Sequence, residues 1–299
     1  PYRCRNLSLM FLESLLLEPF EYEFMRNALM ISILAGVVAP LTGYWALTRR
    51  MVYLTDAMSH SVLPGVIIAS IMGVSILIGA LGTAIILALF VSLMVRKGKS
   101  SEDGAVGVAS QALFALGVVL ASRSTDSKSL SHYLFGNPLS ATIEDIAAMA
   151  LTAIGIVALM IWAHPILLAT SFDPEHASAI GVKVTRADAI LILALAGTTV
   201  IGLGSVGVLM TLSLSVGPAV ITRIFEIHIS KARFVSMGVG VLSSIVGVIA
   251  SYHLAIPVGP SVALTCSSLI ALSFLFKSWA RFSHLQNSVP MGSDSRTTQ

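Results

Sequence analysis

Apolar residues come in separate blocks along this chain, each about 18 residues or longer and almost free of charge, divided by short polar segments. A helix rises 1.5 Å per residue, so a block of about 20 apolar residues crosses a hydrocarbon layer of about 30 Å. The blocks predict nine membrane helices, near residues 27–48, 51–73, 75–95, 104–121, 144–168, 187–206, 208–224, 234–253 and 260–276. The least defined boundary is the glycine-rich link 202–207. Read as one broken helix, it leaves eight spans and inverts everything after it. Before the first span, Leu9, Met10, Leu15 and Phe20 intermix with Glu13, Glu18, Glu21 and Glu23. This pattern predicts an N-terminal segment, residues 1–26, with a short amphipathic helix lying at an interface. No small-residue cleavage site follows its apolar part, so no cleaved signal peptide is expected. The transmembrane domain covers 27–277, and 278–299 are expected to form a disordered cytoplasmic tail.

Composition agrees with the pattern. Of 299 residues, 56% are hydrophobic and 11% charged, against roughly 25% charged in a soluble domain. The fold class is therefore all-α integral membrane, a polytopic helical bundle. Cys4 and Cys266 suggest neither a disulfide framework nor a thiolate metal site. The formal charge of +3 does not point to nucleic acid, because the basic residues flank apolar spans. Strict alternation puts Arg49, Arg50, Arg96, Lys97, Lys99, Lys183, Arg186, Arg223, Lys231, Arg233, Lys277 and Arg281 on one side. The opposite loops hold only Arg123 and Lys128, and the outer N-terminal segment has Arg3, Arg5 and Arg26 beside four glutamates. The positive-inside rule then places the N-terminus outside and the C-terminus in the cytoplasm.

Within the spans, small residues such as Gly79, Gly82, Gly202, Gly204, Gly238 and Gly240 suit close helix packing. Pro64 and Pro218 are expected to kink their helices. Asp56 is the one acidic residue placed well inside a span. A charge at a helix centre costs about 2.5–3.5 kcal/mol on insertion scales, so it needs a partner or a water-filled path. His60 follows one turn later on the same face. Carboxylate and imidazole at i, i+4 form a ligand pair for manganese, zinc or ferrous iron. Two structural readings compete: an ion pair that ties helices together, and a solvated carboxylate at the cytoplasmic mouth.

The inside loop 170–181 carries helix punctuation. Asp173 can cap an N-terminus, Pro174 suits the first helical position, Glu175 favours the dipole and Gly181 can end the turn. A short cytoplasmic helix is expected there, with Phe172 at its start and Ala177 within it, serving either as a tight connection or as a docking knob. Gly98-Lys99-Ser100 resembles the end of a phosphate-binding loop, but Leu93 stands where the first glycine belongs. Neither a zinc-hydrolase HExxH nor a nucleophile elbow is present, so an enzyme active site is not expected.

The stretch 49–65, with Asp56, His60 and Pro64 in place, resembles the signature of the manganese/zinc/iron ABC importer permeases. Residues 101–107 resemble the acidic turn opening a later helix of that family, and 132–137 its outer-loop motif. Residues 171–181 resemble its ATPase-docking loop, and looser matches continue through 206–209, 217–219 and 257–259. Thr55 and Ser61 depart from the glycine and alanine common in relatives. The resemblance implies a type II ABC importer permease in a bacterial plasma membrane. It implies two copies of this chain around one pathway, two cytoplasmic ATPase subunits and an extracytoplasmic metal-binding protein. On that reading the chain binds no cofactor of its own, and manganese or zinc is the cargo. A secondary cation transporter and a permease for a metal chelate are the alternatives. Paired half-repeats with discontinuous helices would favour the former, and none is visible.

Overall fold

Backbone polar groups find no water inside a bilayer, so a spanning chain must satisfy them within helices. The computed structural model describes residues 18–74, 76–96, 102–123 and 136–287. The amphipathic N-terminal helix, the outer motif as far as 135 and residues 288–299 lie outside them. Eleven helices are described, α1 Glu23–Thr48, α2 Val52–Ser61, α3 Leu63–Met72, α4 Ile76–Arg96, α5 Glu102–Arg123, α6 Ile143–Phe172, α7 Pro174–Ala179, α8 Val184–Ile201, α9 Val208–Ile224, α10 Ile229–Leu254 and α11 Val258–Asn287. Counting α2 and α3 together, six passages are long and apolar enough to cross a membrane unaided, and α9 and the middle of α4 are shorter apolar helices. The last helix continues to Asn287, so the tail expected from 278 is helical where it begins.

Side-chain contacts fix how the helices run. Near the start of α1, Asn27 Nδ2 donates to the carbonyl of Ala141 at 3.1 Å. Past its end, Arg49 donates to Thr170, so α1 and α6 are parallel. Helix α8 starts beside Arg49, through Asp188, and reaches Thr42 through Thr198, with the hydroxyls 3.3 Å apart. It therefore runs against α1. Helix α9 passes Gly43 at Ser215 and ends with Arg223 donating to the Leu47 carbonyl at 2.8 Å, so it runs with α1. The chain reverses between α8 and α9 in a π-helical turn, Gly202–Val206, closed by Gly207 at φ 91°, where a side chain is disfavoured. The sixth and seventh expected spans are thus two antiparallel helices. Tyr252 of α10 meets Tyr22 at the far end, and Lys277 of α11 returns to donate to the Ile224 carbonyl. Arg49, Arg223 and Lys277 share one end of the bundle, and Glu18, Glu21, Glu23, Glu144 and Asp145 share the other, with Arg123.

Helix α1 is the hub of the bundle. Its Trp45, Met25 and Ile31 are almost fully buried, in one cluster with Met160 and Leu167 of α6, Leu191 and Leu195 of α8 and Met210 and Leu214 of α9. Lipid is as apolar as leucine, so close packing rather than water exclusion holds such helices together. Three approaches show it. An added Cβ at Gly65 would lie 2.1 Å from the Gly79 carbonyl oxygen, one at Gly43 1.8 Å from that of Ser215, and one at Gly36 2.8 Å from that of Gly240. Gly82 and Gly238, expected to serve the same purpose, face open space. Gly65→Ala is expected to cost about 1–3 kcal/mol and lower the melting temperature in detergent, while Gly82→Ala leaves it unchanged or higher. Equal melting of the two variants would contradict the α3–α4 contact.

The prolines act differently from one another. Pro64 has no N–H for the His60 carbonyl, and the helix is interrupted just before it, at Val62. Helix α9 continues through Pro218 without a break, so no interruption occurs at the second expected kink.

Candidate functional site

A tight turn delivers α2. Arg50 takes a left-handed φ of 59° and the Met51 N–H donates to the Ala46 carbonyl at 2.7 Å, after which α2 begins at Val52. Thr55, Ala57, Met58, Ser59 and Ser61 turn into the bundle, leaving Asp56 and His60 on the outer face. His60 Nε2 lies 3.7 Å from Asp56 Oδ1, with the side chains 29% and 57% exposed. The His60 ring packs edge-on to Phe114 of α5, with centroids 5.1 Å apart. Both members of the pair belong to one helix, so their contact does not tie two helices together. An exposed pair at i, i+4 is worth only about 0.3–0.5 kcal/mol. Pro64 also leaves the His60 carbonyl without its helical donor. Among the described residues no group of three or more His, Cys, Asp or Glu side chains converges as a metal site.

At the basic end the expected short helix is present as α7. The Asp173 carboxylate accepts from the His176 N–H at 2.8 Å, Pro174 opens the helix and Glu175 lies in its first turn. Gly181, at φ 85°, follows its end. Ala177 is buried against the bundle, while Phe172 and Ile180 are 63% and 61% exposed. His176 is on the surface.

Sequence reasoning missed the group that stands between these two features. Arg49, read there only as a topological charge, is 6% exposed and pairs with Asp188 of α8, itself 32% exposed. It also donates to Thr170, three residues before the cap of α7. A visible signal was available: an acid, Asp188, near the start of an otherwise apolar block. The network joins α1, α6 and α8 immediately ahead of the turn that positions Asp56.

The pattern of the ABC 3 transport family matches residues 21–277. This chain belongs to the ABC 3 transport family. Among its relatives, the manganese transport system membrane protein MntC of Listeria monocytogenes is 32% identical over 268 residues, 90% of this chain and 94% of the relative. The manganese import system permease protein ScaB of Streptococcus gordonii is 30% identical over 88% of this chain and 94% of its own. A probable iron transport system membrane protein of Haemophilus influenzae is 28% identical over 87% and 96%. Of solved structures, PsaBC from Streptococcus pneumoniae in complex with Fab matches with a TM-score of 0.81 and 30% identity, over 89% of this chain and 95% of the other. A putative metal-chelate type ABC transporter, 17% identical with a TM-score of 0.64, shares the fold. As a member of the ABC 3 family the chain is a multi-pass permease subunit of an ABC transporter, and ATP hydrolysis belongs to a separate subunit. The permease fold expected from the sequence is the fold observed.

Proposed function

We propose that this permease carries a divalent metal ion, manganese or zinc, inward across a bacterial plasma membrane, and that Asp56 and His60 contact the ion in transit. The observation that carries the reading is the carboxylate–imidazole pair on the outward face of α2, 3.7 Å apart, in a chain whose relatives are named for manganese and iron transport. A half-exposed carboxylate facing lipid would be costly, so that face belongs against a water-filled path or a second copy of the chain. Two copies supply two carboxylates and two imidazoles around one axis, a multi-ligand passage that can still release its ion. The basic end is cytoplasmic, with the N-terminus outside. An extracytoplasmic metal-binding protein delivers the ion at the acidic end. Growth of a strain lacking the transporter, complemented with this permease and its partners over a series of trace metals, tests the cargo. Rescue by manganese or zinc is expected, and rescue by neither would refute the reading.

The work must come from an ATPase, for which the exposed Phe172 and the capped α7 form a rigid knob outside the bilayer. Phe172→Ala with Asp173→Ala should reduce co-purification of the ATPase at least severalfold while membrane insertion is unchanged. Normal co-purification would remove 172–181 from the contact. Native mass measurement in detergent should give two permeases per complex. A transport-competent complex with one permease would contradict the shared passage.

A further inference from the structure

A groove runs between α6 and α10 at the basic end of the bundle, with His164 and Arg233 at its middle. Toward the bundle centre it forms a cavity of about 180 Å³ walled by Leu41, Val157, Met160, Ile161 and Met237. Toward the basic end it widens to about 540 Å³ past Leu168, Ile227, His228 and Ser230. His164 and Arg233 line both parts. Both parts are mainly apolar, and Arg233 and His164 set a cationic, hydrogen-bonding pair at the point where they join.

Arg233 is the feature that helix packing leaves unexplained. One of its terminal nitrogens lies 2.9 Å from His164 Nδ1. A guanidinium only donates, so Nδ1 accepts and the neutral ring carries its proton on Nε2, a second donor beside the first. The Nε of Arg233 is buried with no hydrogen-bond partner. Among the described residues no carboxylate pairs with this arginine. Its guanidinium carbon stands 4.8 Å from the Phe234 ring centre, a contact that stabilises the charge without neutralising it. Helix electrostatics add to the demand for an anion. The first turn of α10 contains no acid, while Lys231 and Arg233 stand near the positive end of its dipole, where cations are disfavoured. Positive-inside topology accounts for an exposed lysine, but not for an arginine turned into an apolar-walled groove.

We infer that this groove binds an anionic phospholipid, with its phosphate at Arg233 and His164 and the first several carbons of one acyl chain in the cavity above them. A cation without a carboxylate partner beside apolar-walled space matches a charged headgroup joined to hydrocarbon, and basic recesses between helices on the cytoplasmic side suit anionic headgroups. Free phosphate would answer the arginine but leave the apolar cavity unfilled. The site is independent of the metal reading and abuts the docking segment, since Phe172 also lines its mouth.

The test is thermal melting of the purified permease in neutral detergent with phosphatidylglycerol, phosphatidylcholine or inorganic phosphate added. Phosphatidylglycerol should raise the melting temperature saturably, and the other two should not. Arg233→Gln should weaken the apparent affinity about tenfold or more, with Arg233→Lys intermediate. Val157→Trp fills the apolar cavity with the charges intact and should weaken it as well, which keeps the test open if Arg233→Gln fails to fold. Equal responses to the two lipids, or an inorganic phosphate response equal to that of phosphatidylglycerol, would overturn the inference. So would an undiminished phosphatidylglycerol response in Val157→Trp. Loss of that response when the ATPase is added would assign the groove to the ATPase instead.

Discussion

Replacing Asp188 by Ala is expected to cost the folded permease about 3–5 kcal/mol, the range for stranding one member of a buried ion pair. The variant leaves the Arg49 guanidinium, 6% exposed, without its carboxylate at the junction of α1, α6 and α8. Thr170 remains as a partner, but a hydroxyl does not neutralise a charge. The reciprocal change, Arg49→Ala, is expected to cost less, about 1–3 kcal/mol, because Asp188 is 32% exposed and can hydrate. Removing both charges, as in Arg49→Met with Asp188→Leu, should recover most of the loss, since apolar replacement of a buried pair is often neutral. Melting temperatures of the three variants in detergent check the order. Asp188→Ala melting with the unaltered chain, or a double variant no better than the single, would show that the pair does not hold these helices. Because the turn after Arg49 aims α2, a loosened junction should also lower transport in variants that still insert.

The helical passages were legible because most apolar blocks are long, and because polar punctuation falls between blocks. Even the α8–α9 reversal was marked, by the glycines of 202–207, although periodicity could not say whether the chain turned back. That depended on tertiary contacts, Thr198 with Thr42 and Arg223 with Leu47, which leave no local trace. The cap of α7 was readable from Asp173, Pro174 and Gly181, since capping is a local interaction. Helix packing was readable only in kind. Glycine spacing does not tell which face meets a neighbour, and so Gly79 and Gly240 lie at close approaches while Gly82 and Gly238 do not. Pro64 coincides with an interruption and Pro218 does not, because neighbouring helices can support a proline inside a continuous helix. The Arg49–Asp188–Thr170 group joins residues more than 100 positions apart, beyond the reach of any spacing rule. At the candidate site, i, i+4 geometry correctly brought Asp56 and His60 together. Their exposure, which argues against a helix-tying ion pair, emerged only with the packing of α2.

The ion's contact with Asp56 and His60 is the central claim, and uptake of radioactive manganese and zinc by the assembled transporter measures it most directly. Asp56→Asn is the sharpest variant, because it keeps size and hydrogen bonding while removing the charge that attracts a divalent cation. His60→Ala removes the nitrogen ligand. Exposed on one helix face, neither side chain contributes more than a few tenths of a kcal/mol to the fold through their mutual contact. Assembly with the ATPase and the melting temperature should therefore stay near those of the unaltered complex. Uptake should fall at least tenfold in each variant, the loss of one charged ligand from a small set being worth more than about 1.4 kcal/mol. Full uptake of both metals by Asp56→Asn and by His60→Ala, in complexes that retain the ATPase, would remove the pair from the pathway and contradict the account.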